Sequence, residues 1–538
     1  MQIPSGRLPG VMSPQEQFSK VSSPKISRST FDRSHGIKTT IDSGILYPIF
    51  FDEAIPGDTM NLRTTIFGRM GTLLKPIMDN VYIDLHFFSC PRRLLWDNWE
   101  KFNGAQDNPA DSVNFTEPKL TATASTGYSE LSIFDYFGLP TKIPDYEHNS
   151  HFLRFYNLTY NQWYRDENLQ DSVTFITDDG TDTPSDYALL PRGKRKDYFT
   201  SCLPWAQKAD PVSIPFAGDA PVKGIGKYNQ TFSAGPQTVY ESGESSSSSY
   251  ANYSGVNWGT GTGNGTYMVE EDPDNAGFPG IYADMTQVSL LTINAWREAF
   301  TLQELYERDA RGGTRYNELI LSHFGVISPD FRLQRVEYLG GGSIDLRTMA
   351  IAQTSESGTT NQGDLAATAF MQGNNLGFIK SFTEHELVMG LVSIRADLNY
   401  QQGLNRMWSR TTRFDHYWPS FAHLGEQEVL NKEIYTQGTT ADDDVFGYQE
   451  RYAEMRYKPS LVTGLFRSNA TASLDLYHLA QDFSALPGLN SSFIEETPPI
   501  SRVVATPSEP EFILDAYFNF IHARPMPTYS TPGISGTL

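Results

Sequence analysis

The sequence predicts a mainly β fold, a jelly roll carrying large loop and helical insertions. Three observations predict it. Segments alternating with period two lie toward both ends of the chain, helical segments lie between them, and aromatic residues fill 13% of 538 positions. Aromatic side chains suit a pleated, half-buried surface. Strands at both ends fit one sheet system closed by the two ends of the chain, with the helices as insertions, better than βαβ alternation does.

Residues 1–40 are rich in Ser, contain Pro4, Pro9, Pro14 and Pro24, and read as an extended arm. From Ile41 the pattern becomes β. Gly44–Phe51 is a short apolar strand. Thr59–Met70 alternates, with Met60, Leu62 and Ile66 on one side. Val81–Ser89 alternates again, with Val81, Ile83, Leu85 and Phe87 together. Pro91–Phe102 reads as a helix stopped by Gly104, and Phe152–Leu169 as a second helix with an aromatic stripe. Further helices are expected at Val288–Arg308 and Thr314–Phe324, with Thr314 as N-cap and Gly325 as stop. Strands follow at Phe378–Phe382, Leu387–Ile394, Pro459–Leu465 and Phe512–Ile521. The last places Phe512, Leu514, Ala516, Phe518 and Phe520 on one face.

Residues 218–280 differ from the rest. They hold 12 Gly, 8 Ser and five Tyr, with seven acidic residues and two lysines. A segment this long and low in complexity inside a compact domain is a functional projection or disorder. Tyr228, Tyr240, Tyr250, Tyr253, Trp258 and Tyr267 favour a recognition loop, because such rings supply contact area at low entropic cost.

The net charge of −21 disfavours simple coating of nucleic acid. The charge is uneven. Residues 1–40 carry Arg7, Lys20, Lys25, Arg28, Arg33 and Lys38 against Glu16 and Asp32, so the remainder carries −25. Two cysteines, Cys90 and Cys202, exclude a disulfide framework and a four-Cys zinc site, and point to folding in a reducing compartment. The first residues lack the apolar core of a signal peptide, and no apolar run approaches the roughly 20 residues that cross a bilayer. A chain without membrane insertion is expected.

No motif calls for catalysis. Gly259–Gly265 lacks the flanking strand and helix of a dinucleotide site. No Gly-x-Ser-x-Gly, His-Glu-x-x-His or Walker pattern occurs. His416, His423 and Asp415 read as packing or interface residues, and Asp442-Asp443-Asp444 as a solvated loop without EF-hand spacing. No cofactor or metal is expected. The densest basic cluster is Arg192, Lys194, Arg195 and Lys196 beside Tyr198 and Phe199. A second, Arg406, Arg410 and Arg413, interleaves with Trp408 and Phe414. Basic residues beside aromatics suit single-stranded DNA, whose phosphates and bases they meet together. Both clusters equally suit a charged patch between subunits.

Long ordered strings resemble one family. They include Arg28-Ser-Thr-Phe-Asp-Arg-Ser-His-Gly36, Phe51-Asp-Glu-Ala-Ile-Pro-Gly-Asp58, Leu95-Trp-Asp-Asn-Trp-Glu-Lys-Phe-Asn-Gly104 and Tyr160-Asn-Gln-Trp-Tyr-Arg-Asp-Glu-Asn168. Glu307-Arg-Asp-Ala-Arg-Gly-Gly-Thr-Arg-Tyr316, Arg413-Phe-Asp-His-Tyr-Trp-Pro419 and Phe446-Gly-Tyr-Gln-Glu-Arg-Tyr-Ala-Glu-Met-Arg-Tyr-Lys-Pro459 extend the likeness over nearly the whole chain. These strings resemble the major capsid proteins of the Microviridae, most closely the gokushovirus branch.

The resemblance implies an eight-stranded jelly roll of viral capsid type. It implies a T=1 icosahedral shell built from this chain around circular single-stranded DNA, and no enzyme activity. It makes residues 1–40 an internal basic arm, 41–538 the jelly-roll domain, and 218–280 a surface protrusion contacting a host receptor. It implies other phage structural proteins as partners, assembly in the bacterial cytoplasm and residence in the virion. Read without the resemblance, the residues also fit a cytosolic β-sandwich protein that binds carbohydrate or protein.

Overall fold

The computed structural model describes residues 27–110, 114–210, 293–313, 315–326, 334–356 and 361–529, with 212, 222–223, 282–283 and 358. The expected arm positions Arg7, Lys20 and Lys25 lie outside the described residues. So do Tyr228, Tyr240, Tyr250, Tyr253, Trp258 and Tyr267 of the expected recognition loop, of which only 222–223 are described.

Nine strands form one antiparallel sheet: β1 (Ser29–Asp32), β2 (His35–Ile41), β3 (Tyr47–Ala54), β4 (Thr59–Met70), β5 (Val81–Pro91), β6 (Glu337–Ala352), β7 (Leu365–Ser381), β8 (Glu386–Ala396) and β9 (Phe512–Arg524). β1 and β2 both pair with β9, and the order then runs β4, β7, β6, β5, β8, β3. The sheet curls over its own core into two four-stranded halves, β2-β9-β4-β7 and β6-β5-β8-β3. This is the jelly roll, with β1 as a short ninth strand. β1 pairs with the last residues of β9, Ser29 opposite Arg524, so the two ends of the roll meet at one corner.

The side-chain periods explain which faces are covered. β4 and β9 alternate strictly: Met60, Leu62, Ile66, Leu514, Phe518 and Phe520 are buried, while their neighbours face outward. Inward residues of the other half, Ile83, Leu85, Phe87, Val388, Val392 and Ile394, complete the core. Phe50 of β3 joins the two ends of the roll, its ring 5.1 Å from Phe518 and 5.9 Å from Phe87. Each such ring withdrawn from water contributes about 1.5–3 kcal/mol. β8 is apolar on both faces because an insertion covers its outside. There Phe88, Leu387, Met389 and Leu391 pack against Leu153, Phe155 and Tyr156 of α1 (His151–Thr159). A third cluster, with Tyr198, Phe199, Tyr400, Val429, Phe446 and Phe493, lies around the ribbon Glu426–Leu430/Val445–Glu450.

β6 changes partner along its length. Glu337–Asp345 pairs with β5, and Leu346–Ala352 pairs with β7. At this crossing the backbones are too close for side chains. A Cβ on Gly341 would stand 2.0 Å from the Leu85 carbonyl oxygen, and one on Gly377 would stand 1.9 Å from that of Leu62.

Several elements differ from expectation. Pro91–Phe102 is not one helix but a 3₁₀ turn, Arg92–Leu94, and a single turn, Trp99–Phe102. Trp96 is fully buried there and its indole donates to Asp179, which draws the chain off a helical path. The second helix widens into a π turn at Tyr160–Tyr164 and stops at Arg165, well before Leu169. Asn161 holds the turn by exchanging hydrogen bonds with the Val173 backbone at 2.9 and 3.0 Å. Pro459–Leu465 forms no strand, and a 3₁₀ turn starts at Gly464, whose φ is +65°. Residues 29–40, expected within the arm, lie in edge strands instead. Their outward polar faces read as disorder in the sequence, while the inner alternation is short. β6 was not expected at all.

Residues 207–325 form a second compact unit. Its described part includes a short antiparallel pair, Val222–Lys223 with Tyr282–Ala283, and a helical hairpin, α2 (Ile293–Gly312) and α3 (Tyr316–Phe324), with His323 2.6 Å from Asp309. Gly325 ends α3 in the left-handed conformation, as expected, and Arg315 rather than Thr314 occupies the N-cap; Thr314 itself lies outside the described residues.

Glu386 opens β8 in a buried position, and burial first, then the neighbouring Glu337 and Glu384, pushes its carboxyl up to about 7 against the pull of Lys380. Between about pH 4.5 and 7 the folded chain holds this proton and the unfolded chain does not, so stability falls as pH rises through that window. Glu386→Gln is expected to flatten that part of the stability curve and to raise Tm above pH 7. Thermal melts of both proteins from pH 5 to 8 check this.

Candidate functional site

The basic cluster at 192–196 follows the chain across the end of β5 and β8. Arg192 is buried. Its guanidinium sits 2.8 Å from Asp84, donates to the Ser393 hydroxyl and lies over the Tyr164 ring. Arg395 also reaches Asp84. Burial alone would raise the Asp84 carboxyl. Arg192, a Ser343 hydrogen bond and Arg395 outweigh it and hold the carboxyl below its ordinary range. Two arginines on one carboxylate leave Arg192 nothing to offer a ligand. Lys194 is buried too. Its ammonium donates to the Phe493 carbonyl at 2.6 Å and lies over that ring, and burial lowers its pKa against the pull of Glu496.

Arg195 and Lys196 reach water. Arg195 lies 4.3 Å over the Tyr82 ring and 3.8 Å from Asp397, with 39% of its side chain exposed. Lys196 reaches Asp166 and donates to the Thr200 carbonyl at 3.2 Å. The expected run of four surface cations is therefore two structural ones and two accessible ones.

The arm base is similar. Arg28 donates to Thr59, and Arg33 pairs with Asp52 and lies 3.0 Å from His522 Nδ1. His522 Nε2 in turn lies 2.9 Å from Asp58, which also accepts from Arg524 at 3.0 Å. This fully buried Asp58–His522 pair, edged by Arg33 and Arg524, pins the corner where β1 meets β9. Lys38 projects outward, 3.5 Å from Asp515.

In the second cluster, Arg406 donates to the Glu428 carbonyl at 2.6 Å and pairs with Glu433 at 2.9 Å. Arg410 pairs with Glu454 at 3.1 Å. Both border a hollow of about 470 Å³ that also takes Ser409, Arg451 and Tyr452. Arg413 instead lies exposed over the Trp418 ring at 4.6 Å. His416 and His423 are exposed, and Asp442 closes its own loop by accepting from the backbone of Gln437 and Gly438. Among the described residues, no group of three or more His, Cys, Asp or Glu is placed to share a metal ion, and no helix is long and apolar enough to cross a membrane.

What sequence reasoning missed is the acid on the other side of each pair. Asp84, Glu433 and Glu454 are distant from their arginines in the chain, and nothing local marks them.

Comparison with known proteins adds the last observation. A model of the family described as "Capsid protein (F protein)" matches residues 19–534. The chain is 46% identical to the capsid protein VP1 of Bdellovibrio phage phiMH2K, covering 97% of this chain and 98% of the relative. It is 44% identical to the capsid protein VP1 of Chlamydia phage 1, over 98% and 99% of the two chains. The capsid protein VP1 of Spiroplasma virus 4 is 34% identical over 96% and 97%.

Proposed function

The chain belongs to the capsid protein (F protein) family and is a structural protein of a phage virion, and from that premise we propose that its copies close into a T=1 icosahedral shell around a circular single-stranded DNA genome. The observation that carries the proposal is the jelly roll with both halves completed inside one chain. Such a unit is rigid without its neighbours and leaves its loops for contacts between copies. Electron microscopy with sedimentation of the chain, co-expressed with the other phage structural proteins, tests it. Closed megadalton particles are expected. A chain that stays dispersed under those conditions overturns the proposal.

The genome contacts belong to cations that keep access to water. Among the described residues these are Lys38, Arg195 and Lys196; Arg7, Lys20 and Lys25, outside the described residues, join them by charge alone. Phosphate contacts of this kind are sequence-independent and weaken steeply with salt. Replacing Arg195 and Lys196 with alanine is expected to leave shells intact and to lower DNA per particle, read from the absorbance ratio of purified particles. Lys194→Met is expected to act differently. It leaves the Phe493 carbonyl without its donor and costs about 1–3 kcal/mol of stability, seen as a lower Tm before any change in DNA content.

The Gly/Ser/Tyr segment 218–280 supplies the host-facing contact, through its five tyrosines and Trp258. Its composition supports this, since rings among small residues make an adaptable recognition surface. Particles lacking 218–280 should fail to adsorb to host cells, whichever surface receptor is used.

A further inference from the structure

One ordered surface strap combines exposed rings with an arginine. From Thr411 to Ser420 every residue is exposed, yet the segment contains Phe414, Tyr417 and Trp418, exposed by 64%, 49% and 39%; Trp408 just before it is exposed by 72%. The segment is ordered. Asp415 accepts from the backbone N–H groups of Thr411 and Thr412 at 2.9 and 2.7 Å, and the Trp418 indole donates to the Arg413 carbonyl at 3.1 Å. Rings held in place beside an arginine have the composition of the buried centre of a protein interface.

The charges favour protein over nucleic acid as the occupant. Of the three arginines, Arg406 and Arg410 are held by Glu433 and Glu454, and Glu426 and Glu428 also border the adjoining hollow. A phosphate backbone would meet those carboxylates. Arg413 makes no ion pair among the described residues. An acidic protein surface needs only that one cation and the rings.

This chain carries such a surface. Residues 166–186 contain seven acidic residues and no basic one. Asp178 and Asp179 are exposed there, and Asp97 joins them through Thr177, whose carbonyl accepts from the Asp97 N–H at 2.9 Å. Phe102 lies exposed on the adjoining turn, its ring stacked with Trp99. Aromatic and acidic groups stand together on this shoulder, as aromatic and basic groups do on the strap.

We propose that the strap Leu404–Leu424 of one copy docks on the acidic shoulder of Asp97, Asp178, Asp179 and Phe102 of a neighbouring copy. The contact joins two different patches, so it is heterologous and propagates around a symmetry axis until the ring closes. The proposal rests on the chain building a shell, and it names which surfaces build it.

The test is charge reversal in the full chain, with wild-type shells as reference. Arg413→Glu and Asp178→Lys are each expected to reduce shell yield in sedimentation by about tenfold, with the Tm of the unassembled chain unchanged. The double variant is expected to recover most of the yield. Trp408→Ala with Trp418→Ala should lower yield without rescue by Asp178→Lys. Wild-type yield in both single charge variants overturns the proposal while leaving the shell reading intact. So does normal yield with reduced DNA per particle in Arg413→Glu, which would make the strap a genome contact. A wild-type chain that forms no particles overturns both readings.

Discussion

Replacing Arg154 with methionine is expected to destabilise the unassembled chain by about 3–5 kcal/mol. Arg154 on α1 is wholly buried. It meets Asp182 with two bonds, Nε at 2.9 Å and Nη2 at 2.6 Å, and donates from Nη1 to the carbonyls of Leu95 and Asp178, both at 3.1 Å. Tyr187 donates to the same carboxylate at 2.7 Å. One side chain therefore ties the helix, the 92–102 turns and the acidic 178–187 segment into the layer that covers β8. Methionine fills much of the volume but leaves Asp182 charged in a buried site, which is the costly half of the change. The double variant Arg154→Met/Asp182→Leu removes both charges and should recover a substantial part of the loss. Urea denaturation of the three proteins separates these outcomes. A single variant within 1 kcal/mol of the parent would mean that water reaches Asp182.

Gly377→Ala is expected to be worse for folding than its one added methyl suggests, costing about 3 kcal/mol or more. The new Cβ would lie 1.9 Å from the Leu62 carbonyl oxygen, and a backbone atom in a paired strand cannot turn aside as a flexible side chain does. β7 would have to separate from β4 at the place where the sheet curls over its core. The expected result is loss of soluble expression at 37 °C, with partial recovery at low temperature. Gly104→Ala serves as the control. A Cβ there meets nothing within 4 Å, and its positive φ alone should cost about 1 kcal/mol. Equal expression of the two variants would show that the strands at Gly377 separate easily.

The parts of the fold legible in the sequence are those whose side-chain period matched their burial. β4 and β9 have one dry face and one wet face, so their residues alternate and their limits were readable within a few positions. β8 was legible for the opposite reason: a short apolar run without alternation is what a strand buried on both faces requires. β6 was illegible because Gly340-Gly341-Gly342 reads as a break, while in the fold these glycines let two strands cross. The 91–102 turns have helical spacing of aromatics, but Trp96 serves a distant partner, Asp179. The same limit applied to the basic clusters. The sequence shows four cations together at 192–196, and only the positions of Asp84 and Phe493 reveal that two of them are internal ties. Sign of charge is a local property, whereas availability of charge depends on a partner far away in the chain.

The meeting of β1 with the end of β9 has a practical consequence for display and loading. Ser29 and Arg524 leave the roll at one corner, so a passenger protein joined directly ahead of the one or directly behind the other starts from the same point on the roll. Whatever face of a closed particle that corner addresses, inward or outward, the two fusion routes are interchangeable for it. They compete for the same volume, multiplied by the number of copies. A passenger size tolerated at either junction alone but not at both together therefore measures the free space at that corner.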